Sequence, residues 1–413
     1  MNKPKTKNPL IKWLLSLGPG IITAALVFGP SKITITTKLG AVYGYSLLWI
    51  VAVAILFMAV FTNIGERIGL ADSRSLLTII REKWSKAAAV IIGIGIFLVA
   101  TSFQAGNSVG VGIAVAEASA TSTVTWIVVF NLIGIFLLFF RKFYGILEKL
   151  MILLVSIMLF SFVTTLFFAK PDIAGIVQGF APSIPLGSEG LVIAFIASCF
   201  SITGAFYQAY LVQERKRKGI IDVGEDGQHK KGGSGSLTGI IILGIMSAVV
   251  LICAAAVLNP QGISVTSASD MAKALEPLFG VYASDMFLVG LFGASFSSLV
   301  GNATLGGTLL SDALGYGSKL DSPITRVLIG LVMVCGSLIA ILFGKLPLEL
   351  IVFAQSITIF LVPFIGVAMF SIANRKDIMG IYVNKGFSKI IGGLGLVVLL
   401  ALAIYNVYDM FLK

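Results

Sequence analysis

Long apolar runs dominate this chain of 413 residues and decide what it can fold into. The chain is 57% hydrophobic and only 12% charged, and its mean hydropathy is +1.00. A helix needs about 20 consecutive apolar residues to cross a bilayer. The sequence contains eleven such runs, which predicts an all-α polytopic membrane protein rather than a water-soluble domain.

Short polar gaps separate the eleven predicted spans. The spans cover residues 13–41, 45–70, 88–116, 124–140, 150–168, 191–212, 237–258, 286–310, 327–343, 348–372 and 390–408. Gly29–Lys32 interrupts the first span, and the polar patch Ser201–Gly204 lies within the sixth. Broken backbone at membrane depth is tolerated only where it lines a cavity, so we expect both interruptions to face the interior of the protein.

The basic residues predict the orientation of the chain. With the N-terminus inside, 24 of the 30 lysines and arginines fall in gaps on the inner side, and only four fall outside. The positive-inside rule therefore predicts a cytoplasmic N-terminus and an external C-terminus. The net charge of +11 comes mainly from these gaps, so it does not indicate binding of nucleic acid.

The longest inner gap, residues 214–236, divides the spans into two groups of five. It is basic and then rich in glycine and serine, which predicts a flexible cytoplasmic linker; a regulatory or partner-binding role is the alternative. Because five is odd, the second group (190–373) must be inverted relative to the first (13–169). An extra eleventh helix at 387–409 completes a single transmembrane domain. Paired interruptions in two inverted repeats indicate a substrate site between them.

The sequence argues against several other kinds of site. The three cysteines, Cys199, Cys253 and Cys335, lie in apolar spans, and the single histidine, His229, lies in the polar linker. A metal site built from cysteine or histidine is therefore not expected. We find no nucleophile–base constellation and no cofactor motif, so we expect neither an enzyme nor a cofactor.

Short motifs along nearly the whole chain resemble those of a known family. They are Leu17–Gly20, Gly44–Tyr45, Glu66–Leu70, Lys170–Asp172, Leu211–Gln213, Leu275–Leu278, Phe296–Ser298, Pro363–Phe364 and Arg375–Gly380. Their order and spacing resemble the Nramp (natural resistance-associated macrophage protein) family of divalent metal transporters. The resemblance implies a LeuT-type fold with two inverted repeats, acting as a monomeric secondary transporter in the cell membrane.

The resemblance stops at the metal site. The family's first break reads D-P-G-N, in which the aspartate and the asparagine bind the metal. The same positions here are Gly29 and Lys32. The family's M-P-H motif in the sixth span falls on Ser201–Thr203, so the soft methionine ligand is also missing.

The proton path implied by the family is missing as well. A second histidine of the sixth span falls on Gln208, and the acidic pair of the third span falls on Ser102 and Ala105. Gln355 alone matches, at a glutamine that helps to enclose the ion. The candidate substrate-binding residues are Gly29, Ser31, Lys32, Ser201, Thr203, Gln208 and Gln355. Serine and threonine in membrane helices often bond only to their own or a neighbouring helix, which is the alternative reading.

Lys32 lies at about mid-membrane depth, where an ionisable group is a functional-site hypothesis by default. Three roles are open. The ammonium bonds to helix-end carbonyls as a structural tether, or it carries a proton, since burial favours a neutral lysine. Alternatively, it contacts an anion together with the N-termini of the broken helices. A divalent ion at about 4 Å would be repelled by roughly 8 kcal/mol at an effective dielectric near 20.

We therefore expect an Nramp-related secondary transporter with a remodelled site, which moves an unidentified small ion or solute by alternating access. Proton-coupled transport of manganese or iron is not expected. One alternative is a divalent metal transporter that uses oxygen ligands and favours Mg²⁺-like ions. A second alternative is a sensor or scaffold that no longer transports. The expected partners are the lipid bilayer and the transported ion or solute.

Overall fold

The computed structural model describes residues 28–139, 141–217, 219, 222–223, 229–231, 236–343 and 347–411. Helices form nearly all of this part of the chain. The helices of the first half are α1 (Pro30–Tyr43), α2 (Leu48–Ala71), α3 (Leu76–Lys83), α4 (Lys86–Ser119), α5 (Thr123–Leu137), α6 (Arg141–Phe168), α7 (Ile173–Gln178), α8 (Glu189–Phe200) and α9 (Ile202–Arg217). Those of the second half are α10 (Ser236–Val257), α11 (Ala268–Ala272), α12 (Glu276–Phe279), α13 (Ala283–Leu314), α14 (Pro323–Leu342), α15 (Pro347–Ile357), α16 (Val362–Ala373), α17 (Lys376–Met379) and α18 (Gly386–Phe411).

These helices confirm the predicted all-α membrane fold. Eight helical segments in the described chain are long and apolar enough to cross a bilayer, and α15 with α16 forms a ninth that bends by 45°. The shorter apolar helix α5 and the outer part of the first span, α1, complete the predicted set of eleven. Residues 13–27 of the first span lie outside the described residues. The orientation of the termini stays a prediction.

The predicted linker, residues 214–236, has more regular structure than expected. Helix α9 continues through its first four residues to Arg217. Two short strands, β1 (Asp222–Val223) and β2 (His229–Lys231), then pair in an antiparallel hairpin. The single histidine therefore lies on a strand of this hairpin.

The long helices pack in two groups. In the first group, α2 packs on α9 and α10, and α10 also packs on α1. In the second group, α13 packs on α4, α6 and α14. Helices α4 and α13 run antiparallel along most of their lengths. Gly93 faces Ala313 near one end of this pair, and Gly110 faces Ser295 further along. Small residues allow this close approach.

Glycines bring the backbones of α2 and α9 into direct contact. A Cβ atom at Gly65 would clash with the carbonyl oxygen of Ala205, and one at Gly69 would meet the carbonyl oxygen of Ala209. In both cases the opposing atom belongs to backbone, which cannot rotate away as a side chain can. The inner half of the sixth span is therefore held against the second span without intervening side chains.

We expect Gly65→Ala to lower the free energy of unfolding by about 1–3 kcal/mol, because α2 and α9 must separate. Gly301→Ala on α13 is the matched control, since open space surrounds that position. Alanine is favoured over glycine in a helix by roughly 1 kcal/mol, so the control should be neutral or slightly stabilised. Thermal unfolding in detergent measures both. Equal midpoints for the two variants would contradict the close contact.

Candidate functional site

The described chain enters α1 at the predicted first interruption. Gly29 is extended (φ −77°, ψ 176°), and Pro30 occupies the first turn of the helix, where its missing N–H costs nothing. The backbone N–H groups of Lys32 and Ile33 both donate to the Gly29 carbonyl, at 3.1 and 3.2 Å. No side chain caps this helix start. The positive dipole end of α1 therefore lies beside Lys32.

The second interruption lies at Ser201, between α8 and α9. Ser201 adopts a left-handed conformation (φ 40°, ψ 42°), which is uncommon for a residue other than glycine. Its hydroxyl lies over the first turn of α9, since a Cβ atom added to Gly204 would be 2.5 Å from it. Helix α9 begins at Ile202, within the predicted polar patch Ser201–Gly204. The sixth span is thus broken at a single strained residue.

Lys32 is buried in the first turn of α1, and its side chain is the centre of the site. Only 3% of the residue is exposed. Among the residues that the structure describes, its Nζ has no hydrogen-bond partner. It interacts electrostatically with the thiol of Cys199, which lies fully buried near the end of α8. This contact brings the two interruptions of the first and sixth spans together.

Sequence reasoning assigned Cys199 no role. A cysteine in an apolar span usually packs like a small apolar residue, so the type alone gave no reason to single it out. The available signal was its position two residues before the break at Ser201.

Ser31 and Gln355 are in direct contact. The Gln355 side-chain amide donates to the Ser31 hydroxyl at 2.9 Å, and both residues are buried. Gly106 on α4 lies next to the same hydroxyl, since a Cβ atom there would be 3.0 Å from it. The Thr358 hydroxyl fixes the bend between α15 and α16 by donating to the Gln355 carbonyl at 2.7 Å. The first and tenth spans therefore meet at this polar pair.

A side chain at position 29 would require Ser298 to move. A Cβ atom at Gly29 would lie 2.8 Å from the Ser298 hydroxyl oxygen and 3.7 Å from the Asn107 amide oxygen. Both residues belong to the antiparallel pair of α4 and α13. The volume that a carboxylate at position 29 would enter is thus occupied by Ser298.

The remaining candidates lie on α9. Thr203 is buried in its first turn, and Gln208 is half-buried more than a turn further along. Of the seven predicted residues, the structure joins Ser31 with Gln355 and places Lys32 and Ser201 at the two breaks. Within the described part of the chain, no hydrogen bond joins Thr203 or Gln208 to these residues.

The positions of the family's acidic pair have structural contacts. The Ser102 hydroxyl donates to the Ala354 carbonyl at 2.6 Å and so ties α4 to α15. Ala105 is fully buried. One turn away, the Asn302 amide donates to the Ala100 carbonyl at 2.6 Å. These polar residues of α4 and α13 therefore act here as interhelical contacts.

Buried hydroxyl groups without a partner lie on three helices of the site. Within the described ranges there are seven: Thr34, Thr36 and Thr37 on α1, Thr101 on α4, and Ser295, Ser297 and Thr308 on α13. Ser295 and Ser297 lie close to the contact of Ser298 with Gly29, whereas Thr308 lies about three turns further along α13. Buried polar groups in native proteins are nearly always bonded, to protein or to water, so these hydroxyls are available to bond water or a solute.

The chemistry of the site is that of one ammonium, one thiol, one amide and several hydroxyls. The described part of the chain contains no group of three or more histidine, cysteine, aspartate or glutamate side chains that could hold a metal ion. Such a site can bind through oxygen atoms and can offer one positive charge.

The comparisons with known proteins agree with the motif resemblance. The family described as natural resistance-associated macrophage protein-like matches residues 20–409. The Divalent metal cation transporter MntH of Deinococcus radiodurans is 26% identical over 404 residues, which cover 95% of this chain and 89% of that protein. The protein of the same name from Bacillus subtilis is 23% identical over 398 residues, covering 96% and 92%.

Solved structures share the fold. A mutant of the Eremococcus coleocola manganese transporter superposes with a TM-score of 0.75 at 17% identity, covering 99% of this chain and 89% of that one. Mhp1, a nucleobase-cation-symport-1 family transporter in a closed conformation, superposes with a TM-score of 0.65 at 12% identity, covering 96% and 94%. At these identities the likeness shows the fold alone.

We expect Lys32→Met to raise the free energy of unfolding by about 1 kcal/mol or more, because it removes a buried charge without opening a large cavity. Lys38→Met is the control. Lys38 lies 3.6 Å from Glu349 in a partly exposed ion pair, whose loss should cost at most about 1 kcal/mol. Thermal unfolding in detergent distinguishes them. A clearly lower midpoint for Lys32→Met would instead support the structural tether.

Proposed function

This chain belongs to the Nramp family, and we propose that it is a secondary transporter whose substrate site has been remodelled around Lys32. The family is one of multi-pass membrane transporters, so the chain is not an enzyme. Its substrate is a small ion or solute. It moves by alternating access around the breaks of the first and sixth spans. Lys32, with its ammonium buried at the start of α1, is the observation that carries the proposal.

Charge is the reason to separate this site from one for manganese or iron. The Lys32 ammonium stands where a neutral metal ligand is expected, and Gly29 stands where a carboxylate is expected. Each close charge pair contributes about 4 kcal/mol at an effective dielectric near 20, and a divalent ion doubles that value. The site thus lacks the attraction and gains a repulsion. We infer that a protonated Lys32 excludes divalent ions.

Packing supports the same inference. Ser298 fills the space beside Gly29, so the missing carboxylate has left no vacant volume behind. Gln355 keeps a partner within the protein, the Ser31 hydroxyl. The two features fit a site in which polar contacts of the protein replace those to a bound metal.

A divalent metal transporter is the second candidate. It is favoured by the relatives, which are named divalent metal cation transporters and match nearly the whole chain. The ligands would be the oxygens of Ser31, Ser201 and Gln355 together with backbone carbonyls, which suit Mg²⁺-like ions better than transition metals. This candidate requires Lys32 to be neutral or turned away while the ion is bound.

Uptake by the purified full-length protein in proteoliposomes tests these candidates. We expect no saturable uptake of Mn²⁺ or Cd²⁺, and no binding of either ion by calorimetry, since neither a carboxylate nor a soft ligand is offered. Saturable Mn²⁺ uptake would refute the remodelled site. Saturable uptake of Mg²⁺ or Ca²⁺ alone would favour the oxygen-ligand candidate. Uptake of any solute would exclude a scaffold that no longer transports.

We expect the combined variant Gly29→Asp, Lys32→Asn and Ser298→Ala to gain Mn²⁺ binding by at least about a hundredfold, because it restores a carboxylate and removes the ammonium. Ser298→Ala makes room for the new side chain. The matched control keeps Ser298 and should bind more weakly. Calorimetry with Mn²⁺ measures both. If the three changes together bind no Mn²⁺, these positions do not decide ion selectivity.

A further inference from the structure

A cleft of about 540 Å³ opens between α9 and α13, at the end of the molecule that carries the loop 318–321. Tyr207, Tyr210 and Glu214 line it from α9, and Thr308 lines it from α13. The positive-inside rule predicts that this end faces the cytoplasm. Thr308 is buried, and its hydroxyl has no partner in the described part of the chain. The cleft therefore has a polar wall that reaches into the membrane domain.

Asp312 lies directly behind that wall. It is 4% exposed, and it is one turn after Thr308 on α13. The Tyr210 hydroxyl donates to its carboxylate oxygen Oδ2 at 2.6 Å, and the Leu77 backbone N–H donates to the Tyr210 oxygen at 3.3 Å. The Leu77 bond orients the hydroxyl so that its proton points at Asp312. Tyr210 thus contacts both the cleft and the buried carboxylate.

In the described contacts, the charged side chains near Asp312 do not bond its carboxylate, whereas the Tyr210 hydroxyl does. On α3, the Arg81 guanidinium donates to the backbone carbonyls of Asp312 and Ala313, at 2.6 and 2.8 Å. It compensates the negative end of the α13 dipole. Glu214 and Arg217 of α9, and Lys319 and Asp321 of the loop, stand around the cleft. On α4, Gly93 packs against the neighbouring Ala313 and carries no charge. The described partner of the carboxylate is thus a neutral hydroxyl group rather than a cation.

Asp312 lies near the C-terminal end of α13, two residues beyond the predicted eighth span. Asp312 and Glu66 are the buried carboxylates of the described helices. Burying a charge is costly unless it is paired, so a buried acid beside a cleft is a candidate for taking up a proton. The two positions of the family's acidic pair, Ser102 and Ala105, carry no carboxylate.

We propose that Asp312 exchanges protons with the inner cleft through the hydroxyl of Tyr210. A hydronium ion in the cleft gives a proton to the Tyr210 oxygen while the hydroxyl proton moves to Asp312 Oδ2. One O–H bond of Tyr210 breaks and another forms, so the products are a neutral carboxyl group, an unchanged tyrosine and a water molecule. The reverse step returns the proton. Use of this proton to drive transport rests on the proposed function.

Infrared spectroscopy of the full chain in lipid tests the exchange without requiring transport. Across a pH series, we expect the carbonyl stretch of a protonated carboxyl that is lost in Asp312→Asn and kept in the control Asp321→Asn. We expect Tyr210→Phe to keep this band but to slow its exchange in D₂O. Tyr207→Phe is the matched control, because Tyr207 lines the same cleft and stacks on Tyr210 at 6.2 Å. It should exchange at the wild-type rate.

A purely structural Asp312 gives a different result. The pH-dependent band would then be the same in the wild type and in Asp312→Asn, which would overturn the proposal. Equal exchange rates in Tyr210→Phe and Tyr207→Phe would also overturn it. If Asp312→Asn does not fold, the two tyrosine variants still decide.

Transport separates this proposal from the proposed function. Where the wild type moves a solute, Asp312→Asn should keep solute exchange but lose uptake driven by a pH gradient. If a pH gradient still drives solute uptake by Asp312→Asn, Asp312 does not couple the proton to transport. A wild type that moves nothing would refute the proposed function, while the infrared band would still decide whether Asp312 exchanges protons.

Discussion

The structure depends on how the protein offsets the free-energy cost of polar groups that are buried in the membrane and cannot bond to water. Backbone at the two interruptions lacks helical partners, and the Lys32 ammonium adds a full charge at the same depth. Packing inside the helix bundle brings these polar groups together. The first turn of α1, the Cys199 thiol and nearby hydroxyls form a polar centre enclosed by apolar helices. Whatever the transporter binds must compete with these internal contacts.

The loss of metal ligands is matched by changes in their surroundings. Gly29 has no side chain, and Ser298 from another helix fills the space beside it. Gln355 keeps its position but bonds to Ser31. Residues of three different helices therefore contact one another around the first break.

The fold was largely predictable from the sequence, because hydropathy and the positions of lysine and arginine act locally along the chain. The interruptions at Gly29–Lys32 and near Ser201 were predictable for the same reason. The contacts of the site were not. Cys199 beside Lys32 and Ser298 beside Gly29 join residues that are far apart in sequence, and no periodicity reports such pairs. The hairpin of β1 and β2 was missed because its composition is that of a flexible loop.

The contact between α2 and α9 has a mechanical consequence. Their backbones touch at Gly65 and Gly69, so neither helix can slide past the other on rotating side chains. If α9 tilts about the strained residue Ser201, α2 must move with it, because the backbones of the two helices are in direct contact. Tyr210 lies about midway along α9 and lines the cleft. A rotation of a few degrees about Ser201 would therefore displace α2, Tyr210 and this wall of the cleft together.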